Sequence, residues 1–397
     1  MFGKGNFRFY FLFLITFVLG VCSCSSKSDG TVTIIDVGDI KMAVLNLNEL
    51  KTDVATVPLS SLLDYCVLVQ LDSNVDDAYV FPQDITVTDK YIGINSQRRE
   101  PYKLFDRSGK FLCNVGSFGR GPGESPSAFW DNIIDDENDL IYFVSGGWAD
   151  RTYIYNTTGH FLKEIVFPHR LIFPSITLHN NILIVMHIPL ENQAKIYQFD
   201  VNTGDLLDEL PPPAGLSLER VSADHVIFST RNVPDFFDLL SITDTLYHYD
   251  LKNNRINPFF AMPFITSQDI WKQHMIINKD LIITDVKSIG ERGIFESTDL
   301  FVAIDLKHKT SSYVKFENDF FGKLPVPINF FNLRNGYWTQ SMMPEELIED
   351  IENRLAERVI SEKDREVLEK TLSTLKEGAN NLVFIGKLKS EVRRKLW

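Results

Sequence analysis

Residues 102–115 read YKLFDRSGKFLCNV, and this stretch decides the fold. Alternating apolar residues flank a turn of Asp, Ser, Gly and Lys, which predicts a β-hairpin. The same phrase recurs in four further copies, TYIYNTTGHFLKEIVF from Thr152, KIYQFDVNTGDLLDEL from Lys195, LYHYDLKNNRINPFF from Leu246 and FVAIDLKHKTSSYVKF from Phe301. The polar residues before the five turns, 50, 44, 50 and 55 positions apart, are Asp106, Asn156, Asp200, Asp250 and Asp305. The chain is therefore built from repeats of about 50 residues.

A second hairpin phrase precedes the first in most repeats. Its copies are ITVTDKYIGINS from Ile85, NIIDDENDLIYFVSG from Asn132, ITLHNNILIVMHI from Ile176 and MIINKDLIITDV from Met275. Two hairpins per repeat give four antiparallel strands, which is typical of a β-propeller blade. The period-2 alternation excludes a helical solenoid. The fold class predicted is all-β.

Five repeats cover about residues 84–316, and a sixth begins near Asn329 with NFFNLRNGYWTQS. We expect its missing strands to come from 380–389 and from 64–71, whose pairing would close the ring without an open sheet edge. The prediction is a six-bladed β-propeller over residues 56–397, preceded by a tether and N-terminal segment, 24–55. Residues 344–378 have apolar positions spaced by four and predict a helical hairpin inserted in the last blade. Pro344 suits its first turn, Ser361 its second N-cap and Gly378 its C-cap.

The first 23 residues predict a signal peptide. Lys4 and Arg8 precede a thirteen-residue apolar run, which is short for a membrane span. Val21-Cys22-Ser23-Cys24 follows and resembles the lipobox of bacterial lipoproteins, with Cys24 as the lipidated residue. Cys22 as the lipidated residue and an uncleaved anchor helix are the alternatives. Residues 25–30, SSKSDG, suit a tether. We expect an outer-membrane lipoprotein on either the periplasmic or the outer side.

The composition limits the partners. The 397 residues carry a net charge of −13, which becomes about −15 without Lys4 and Arg8, and this argues against a nucleic-acid ligand. Membrane contact is expected through the lipid anchor only, and the protein is expected to be a monomer. Cys66 and Cys113 lie in apolar runs and are either buried thiols or a disulfide.

The sequence GSFGRGPGE at 116–124, together with the Asp-x-x-Gly hairpins, resembles NHL-type propellers. It is more similar to the six-bladed β-propeller lipoproteins of Bacteroidetes, over about residues 55–390. SPSAFWDN after Glu124 departs from the NHL pattern of Phe-x-x-Pro. The resemblance implies a fold and a location, but no reaction.

Long loops concentrate on one predicted face of the ring. The turns between first and second strands and between third and fourth strands are short, whereas the other connections are long, and long loops mark a binding face. Aromatic rings can stack on sugars, and arginines can bind carboxylates. The candidate ligand-binding residues on this face are Arg98, Arg120, Trp148, Arg151, Arg231 and Trp338.

No catalytic motif was found. Histidine pairs at HxH or HExxH spacing, a GxSxG elbow and a P-loop are all missing from the sequence. The sequence therefore predicts no catalytic residue, metal or cofactor. It favours a lipid-anchored binding protein for a glycan, a peptide or a membrane-protein partner. The alternative is a propeller hydrolase or lyase acting on a glycan, lactone or peptide end at the central channel, which would need a metal or a buried carboxylate pair there.

Overall fold

The computed structural model describes residues 31–81, 84–96, 100–188, 190, 193–213, 216–217, 227–239, 244–263, 271–289, 295–327 and 332–390. These residues form six large sheets, each with four antiparallel strands at its centre, and one small sheet of two parallel strands. The prediction of a six-bladed propeller with a helical hairpin in its last blade is confirmed. The first three strands of blades 1 and 3 are largely buried because both of their faces pack against neighbouring blades, whereas the fourth strands of these blades are largely exposed or half-buried.

The first strands of the chain come before the first complete blade. They are β1 (Val32–Val37), β2 (Ile40–Leu45), β3 (Val54–Pro58) and β4 (Leu63–Gln70). Short 3-10 helices lie at Leu47–Glu49, Leu59–Ser61 and Asp76–Ala78.

Blades 1 to 3 follow in chain order. Blade 1 contains β5 (Asp84–Val87), β6 (Tyr91–Asn95), β7 (Tyr102–Asp106) and β8 (Phe111–Val115). The link to blade 2 holds the parallel pair β9 (Ser117–Phe118) and β10 (Glu124–Ser125). Blade 2 contains β11 (Phe129–Asp135), β12 (Leu140–Ser145), β13 (Trp148–Asn156) and β14 (Phe161–Ile172). Blade 3 contains β15 (Ser175–His179), β16 (Ile182–Met186), β17 (Ile196–Asp200) and β18 (Leu206–Leu210).

Blades 4 to 6 complete the ring. Blade 4 contains β19 (Ile227–Ser229), β20 (Phe236–Leu239), β21 (Thr245–Asp250) and β22 (Arg255–Ala261). Blade 5 contains β23 (Trp271–Asn278), β24 (Leu281–Ile289), β25 (Phe295–Asp305), β26 (Thr310–Asn318) and the short β27 (Leu324–Val326). Blade 6 contains β28 (Asn332–Arg334), β29 (Tyr337–Met342), β30 (Leu382–Leu388) and the N-terminal strand β4.

Blade 6 joins the two ends of the chain. Strand β30 pairs with β4 from Leu382 opposite Gln70 to Leu388 opposite Leu63. The inner strand of each of blades 1, 2, 3 and 6 contacts the inner strand of a neighbouring blade. The first strand of each blade therefore faces the central channel, and the fourth strand lies at the rim.

The helical hairpin lies between β29 and β30. It consists of α1 (Pro344–Leu355) and α2 (Glu362–Leu372). Leu347, Ile351 and Leu368 are buried against the core of blades 5 and 6. The Ser361 hydroxyl accepts the amide of Asp364, so this residue caps α2 as its sequence predicts. Within the described residues, no helix has the length and apolar character needed to cross a membrane.

The segment predicted as a tether, 24–55, is more than a tether in its described part. The hairpin β1–β2 extends blade 4 at its rim, with Ala43 and Val44 pairing in parallel with Phe260 and Ala261. Strand β3 pairs in parallel with β26 of blade 5. The segment from residue 32 to residue 58 therefore adds strands to the sheets of blades 4 and 5.

Candidate functional site

The central channel is crossed by an ion pair that includes the predicted site residue Arg231. Its Nη1 atom donates to Asp84 Oδ1 at 2.5 Å. Arg231 belongs to blade 4 and Asp84 to blade 1, which are opposite blades in a ring of six. The sequence placed Arg231 on the loop-rich face, and this is wrong. Arg231 lies in the turn between β19 and β20, a first-to-second-strand turn, and it has a positive φ of 45°.

A second arginine binds the same carboxylate from blade 6. Arg334 donates from Nη1 to Asp84 Oδ2 at 3.1 Å and from Nη2 to Asp131 Oδ1 at 3.0 Å. The other Asp131 oxygen accepts the Ser175 hydroxyl and the Ile176 amide, each at 3.0 Å. We call Asp84, Asp131, Arg231 and Arg334 the channel cluster. Arg334, Asp84 and Asp131 are at most 6% exposed.

The amide side chain of Asn232 links blade 5, the remaining blade, to the centre of the ring. It donates to the Ile276 carbonyl of blade 5 at 2.8 Å and accepts the Gly336 amide of blade 6, also at 2.8 Å. All six blades thus contribute a hydrogen-bonding group to the centre of the ring. Buried polar groups that are fully bonded in this way favour one arrangement of the surrounding elements over others.

The channel cluster does not have the properties of a catalytic acid–base pair. Burial raises the pKa of Asp131, but Arg334, Arg231 and two hydrogen bonds outweigh it and hold that pKa below its usual range. Burial likewise acts to lower the pKa of Arg334, yet Asp84 and Asp131 keep it above the ordinary value. The buried carboxylates that the enzyme alternative required are present, but arginines neutralise both of them. Within the described residues, no three His, Cys, Asp or Glu side chains are grouped so that they could hold a metal ion.

Trp338 is not a surface residue, and its assignment to the binding face is wrong. Its side chain is 0% exposed and packs in the core between blades 5 and 6. Strand β29 is the second strand of its blade and has neighbours on both sides. A tryptophan there fills space between blades.

Trp148 does lie at the surface, where the sequence placed it. It begins β13, and its side chain is 56% exposed. The preceding residue, Gly147, has a φ of 71°, and its carbonyl accepts a hydrogen bond from the Phe173 amide at 2.9 Å. The Phe173 ring packs on Trp130 with 4.7 Å between ring centroids. Trp148 is thus linked through the Gly147 backbone to the Trp130–Phe173 pair at one end of blade 2, and we call these three residues the Trp148 corner.

Phe173 has an uncommon backbone conformation. Its φ is 42°, a left-handed value that costs a bulky residue conformational energy. The residue sits in the link between β14 and β15, directly beside the register pair of Trp148 and Ile172. The sequence analysis missed Phe173 and Trp130, although aromatic residues close to the starts of the neighbouring inner strands β11 and β15 were a visible signal. Strained residues of this kind cluster at ligand sites.

Arg151 is at the surface of the same blade, but its guanidinium is already bound. It donates to Asp150 at 2.8 Å and to Glu164 at 2.6 Å. The hydrogen bond to Arg151 is the main reason that the pKa of Asp150 is lowered. The group therefore presents an ion-paired polar edge next to Trp148, rather than a free cation.

The remaining predicted residues do not join this corner. Arg120 is exposed in the link between blades 1 and 2. In that link Gly116 and Gly123 have φ of 75° and 73°, and the Glu124 carboxylate accepts the Gly121 amide at 2.8 Å. The glycine phrase is therefore a self-bonded turn. Arg98 lies outside the described residues.

Cys66 and Cys113 are free thiols, so the disulfide alternative is wrong. They lie in β4 and β8, the outer strands of blades 6 and 1. Burial raises the pKa of the Cys66 thiol to about 12 and also raises the pKa of Cys113. Neither thiol has the lowered pKa of a reactive cysteine.

Comparison with known proteins agrees with the fold. The profile of a domain of unknown function, DUF4934, matches residues 42–387. A presumed exported protein from Bacteroides fragilis NCTC 9343 has a similar structure, with a TM-score of 0.56 at 15% identity, covering 85% of this chain and 100% of that one. A DUF4221 family member from Bacteroides vulgatus ATCC 8482 gives a TM-score of 0.47 at 11% identity, covering 83% of this chain and 98% of that one. No curated protein matches the chain. Because the profile covers most of the sequence, the chain belongs to the DUF4934 family.

Proposed function

We propose that the protein is an exported, lipid-anchored binding protein that holds a glycan at the Trp148 corner. The observation that carries this proposal is the 56% exposure of Trp148 at the end of blade 2 where Trp130 and Phe173 pack on each other. The faces of aromatic rings can stack on the apolar faces of sugar rings. The bound group of Asp150, Arg151 and Glu164 offers carboxylate and guanidinium edges to sugar hydroxyls.

Charge favours a neutral glycan over an acidic peptide. The three charges of this group sum to −1, and the body as a whole is acidic. An acidic peptide would be repelled, whereas a neutral sugar would not. The lipobox at Val21–Cys24 and the exported relative of similar fold support a location outside the cytoplasm.

The test uses the full-length lipoprotein, extracted in detergent and screened against a glycan panel. Trp148→Ala should weaken binding of any glycan found by at least tenfold, while the melting temperature stays within a few degrees. Leu162→Ala is the matched control, because Leu162 is 51% exposed on the outer strand of the same blade. Equal binding by both variants and wild type would place the site elsewhere. Binding of a peptide or a membrane protein alone would replace the glycan as the ligand.

The anchor is tested separately by mass spectrometry of the mature protein. Acyl chains on an N-terminal Cys24 are expected, and Cys24→Ser should abolish them. Acylation of Cys22 would move the cleavage site by two residues, and an unmodified N-terminus would remove the anchor from the proposal.

A further inference from the structure

We propose that the rim between blades 4 and 5 faces an anionic membrane surface and that the basic turn Leu306–Lys309 makes the contact. This inference rests on the lipid anchor of the proposed function. It adds an orientation and a membrane-binding surface, neither of which the anchor alone provides.

The described chain starts at this turn. The Val32 amide donates to the Lys309 carbonyl at 3.3 Å, and the hydroxyls of Thr31 and Ser311 are 2.6 Å apart. Val32 is fully buried. The hairpin that follows is held on blade 4 by strand pairing and by two hydrogen bonds from Arg255 to Asp39, at 2.7 and 3.0 Å. The first described residues are therefore fixed to the rim.

The tether limits how far this rim can move from the lipid. Seven peptide units separate Cys24 from Thr31. A fully extended chain gains at most about 3.6 Å per residue, so the tether reaches about 25 Å at most. The Lys309 turn must then stay close to the headgroups.

The turn itself carries two lysines and a histidine. Lys307, His308 and Lys309 are all exposed. The adjoining turn of blade 5 carries the exposed Lys279, and its Asp280 carbonyl accepts a hydrogen bond from the Leu306 amide at 2.7 Å. The corresponding turns of blades 2 and 3 read TTGH and VNTGD, and those of blades 1 and 4 read RSGK and LKNNR. The turns of blades 1 and 4 also hold two cations each, but Arg107 donates to the Thr88 carbonyl and Arg255 is paired with Asp39.

Two acidic groups, Asp305 and Asp280, lie near the turn. Asp305 bonds to His308 at 2.7 Å, and Asp280 is half-buried. In the part of the chain that the structure describes, Lys307 and Lys309 form no ion pair. Their charges are therefore available to an external anion.

Electrostatics then selects the orientation. A body of charge about −15 is repelled by anionic headgroups, whereas lysines within a Debye length, about 10 Å at 0.1 M salt, are attracted to them. The tethered body should therefore turn its basic rim to the lipid. Blade 2 is opposite blade 5 in a ring of six, so the Trp148 corner points away from the membrane and stays accessible.

The test measures the distance of two matched turns from the lipid. Thr310→Cys on blade 5 and Thr158→Cys on blade 2 place the label at exposed positions of the two turns and leave Lys307 and Lys309 intact. Each full-length, acylated variant is labelled with a fluorophore and reconstituted into vesicles of phosphatidylglycerol and phosphatidylcholine carrying a headgroup quencher. Wild-type protein is the labelling blank, since burial slows the reaction of Cys66 and Cys113.

We expect at least threefold stronger quenching at position 310 than at position 158. Adding Lys309→Glu to the Thr310→Cys protein should reduce that quenching, whereas His160→Glu in the same protein should not. Equal quenching at the two turns, or stronger quenching at 158, would overturn the inference while acylation of Cys24, checked by mass spectrometry, leaves the proposed function standing. An unacylated Cys24 would overturn both the anchor and this orientation.

Discussion

The channel cluster and the Trp148 corner use the same residue types in opposite ways. Arg334 is buried and binds two carboxylates that come from other blades. Arg151 is at the surface and binds two carboxylates of its own blade. Trp338 fills the core, whereas Trp148 is more than half exposed.

This contrast shows what the ring requires and what it leaves free. Bonds between opposite blades fix the whole assembly, so a change in the channel cluster must affect global stability. Bonds within one blade at the surface fix only a local shape. A corner of that kind can change its side chains for a ligand with little effect on folding.

The largest effect is expected for Arg334→Met. The substitution removes the shared partner of Asp84 and Asp131 and leaves two buried carboxylates with less compensation. Unfolding in denaturant should show a loss of about 3–5 kcal/mol. Arg231→Met is the control and should cost less, because that side chain is 25% exposed and makes one of these ion pairs. Equal losses would mean that Arg231 and Arg334 contribute equally to the free energy of unfolding.

The second prediction concerns acid. The pKa of Asp131 is lowered in the folded protein, so its contribution is present above the unfolded value of about 3.9 and is lost as pH falls through the folded pKa. Asp131→Asn removes that titration, and its stability should fall less steeply than that of wild type below about pH 4. The comparison is made by thermal unfolding between pH 3 and pH 7. Parallel curves would show that Asp131 is not preferentially ionised in the fold.

The third prediction compares two glycines that have similar backbone angles, Gly159 at a packed contact between blades and Gly147 at the open Trp148 corner. A Cβ at Gly159, φ 85°, would lie 2.5 Å from the Asn114 carbonyl of blade 1, whereas one at Gly147, φ 71°, would meet no atom within 4 Å. Both alanine variants should pay backbone strain of about 1 kcal/mol, and Gly159→Ala should lose about 1–2 kcal/mol more. Chemical denaturation of the two variants measures the difference. Identical losses would imply that the Asn114 carbonyl moves away from the added methyl group without lowering the free energy of unfolding.

Much of the fold could be predicted because each blade repeats the same hairpins. Each of blades 1 to 5 has a turn between its third and fourth strands, and the alternation of apolar residues on both sides of that turn can be seen in the local sequence. The polar residues at these turns are Asp106, Asn156, Asp200, Asp250 and Asp305. The N-terminal strands were missed because β2 and β3 pair in parallel with strands more than 200 residues away. The residue pattern of β2 and β3 does not indicate which strand each of them pairs with.

The candidate site was harder to predict for a related reason. Exposure of a tryptophan depends on which strand of a blade it enters, so Trp148 and Trp338 look alike in the sequence and differ in the structure. Asp84 and Asp131 stand at the starts of two successive inner strands, which was a usable signal. Their common partner, Arg334, comes from a blade 200 residues later, and only ring closure brings it to them.

The smallest effect on stability is expected for Trp148→Ala. Its exposed ring loses little buried area, so the free energy of unfolding should change by no more than about 0.5 kcal/mol. Chemical denaturation checks this, with Leu162→Ala as the matched surface control. A loss above about 1 kcal/mol would show that the ring supports the Phe173 link, and the corner would then be part of the blade's own packing. A negligible loss together with abolished glycan binding would separate the corner from the fold, because only a ligand would then depend on that ring.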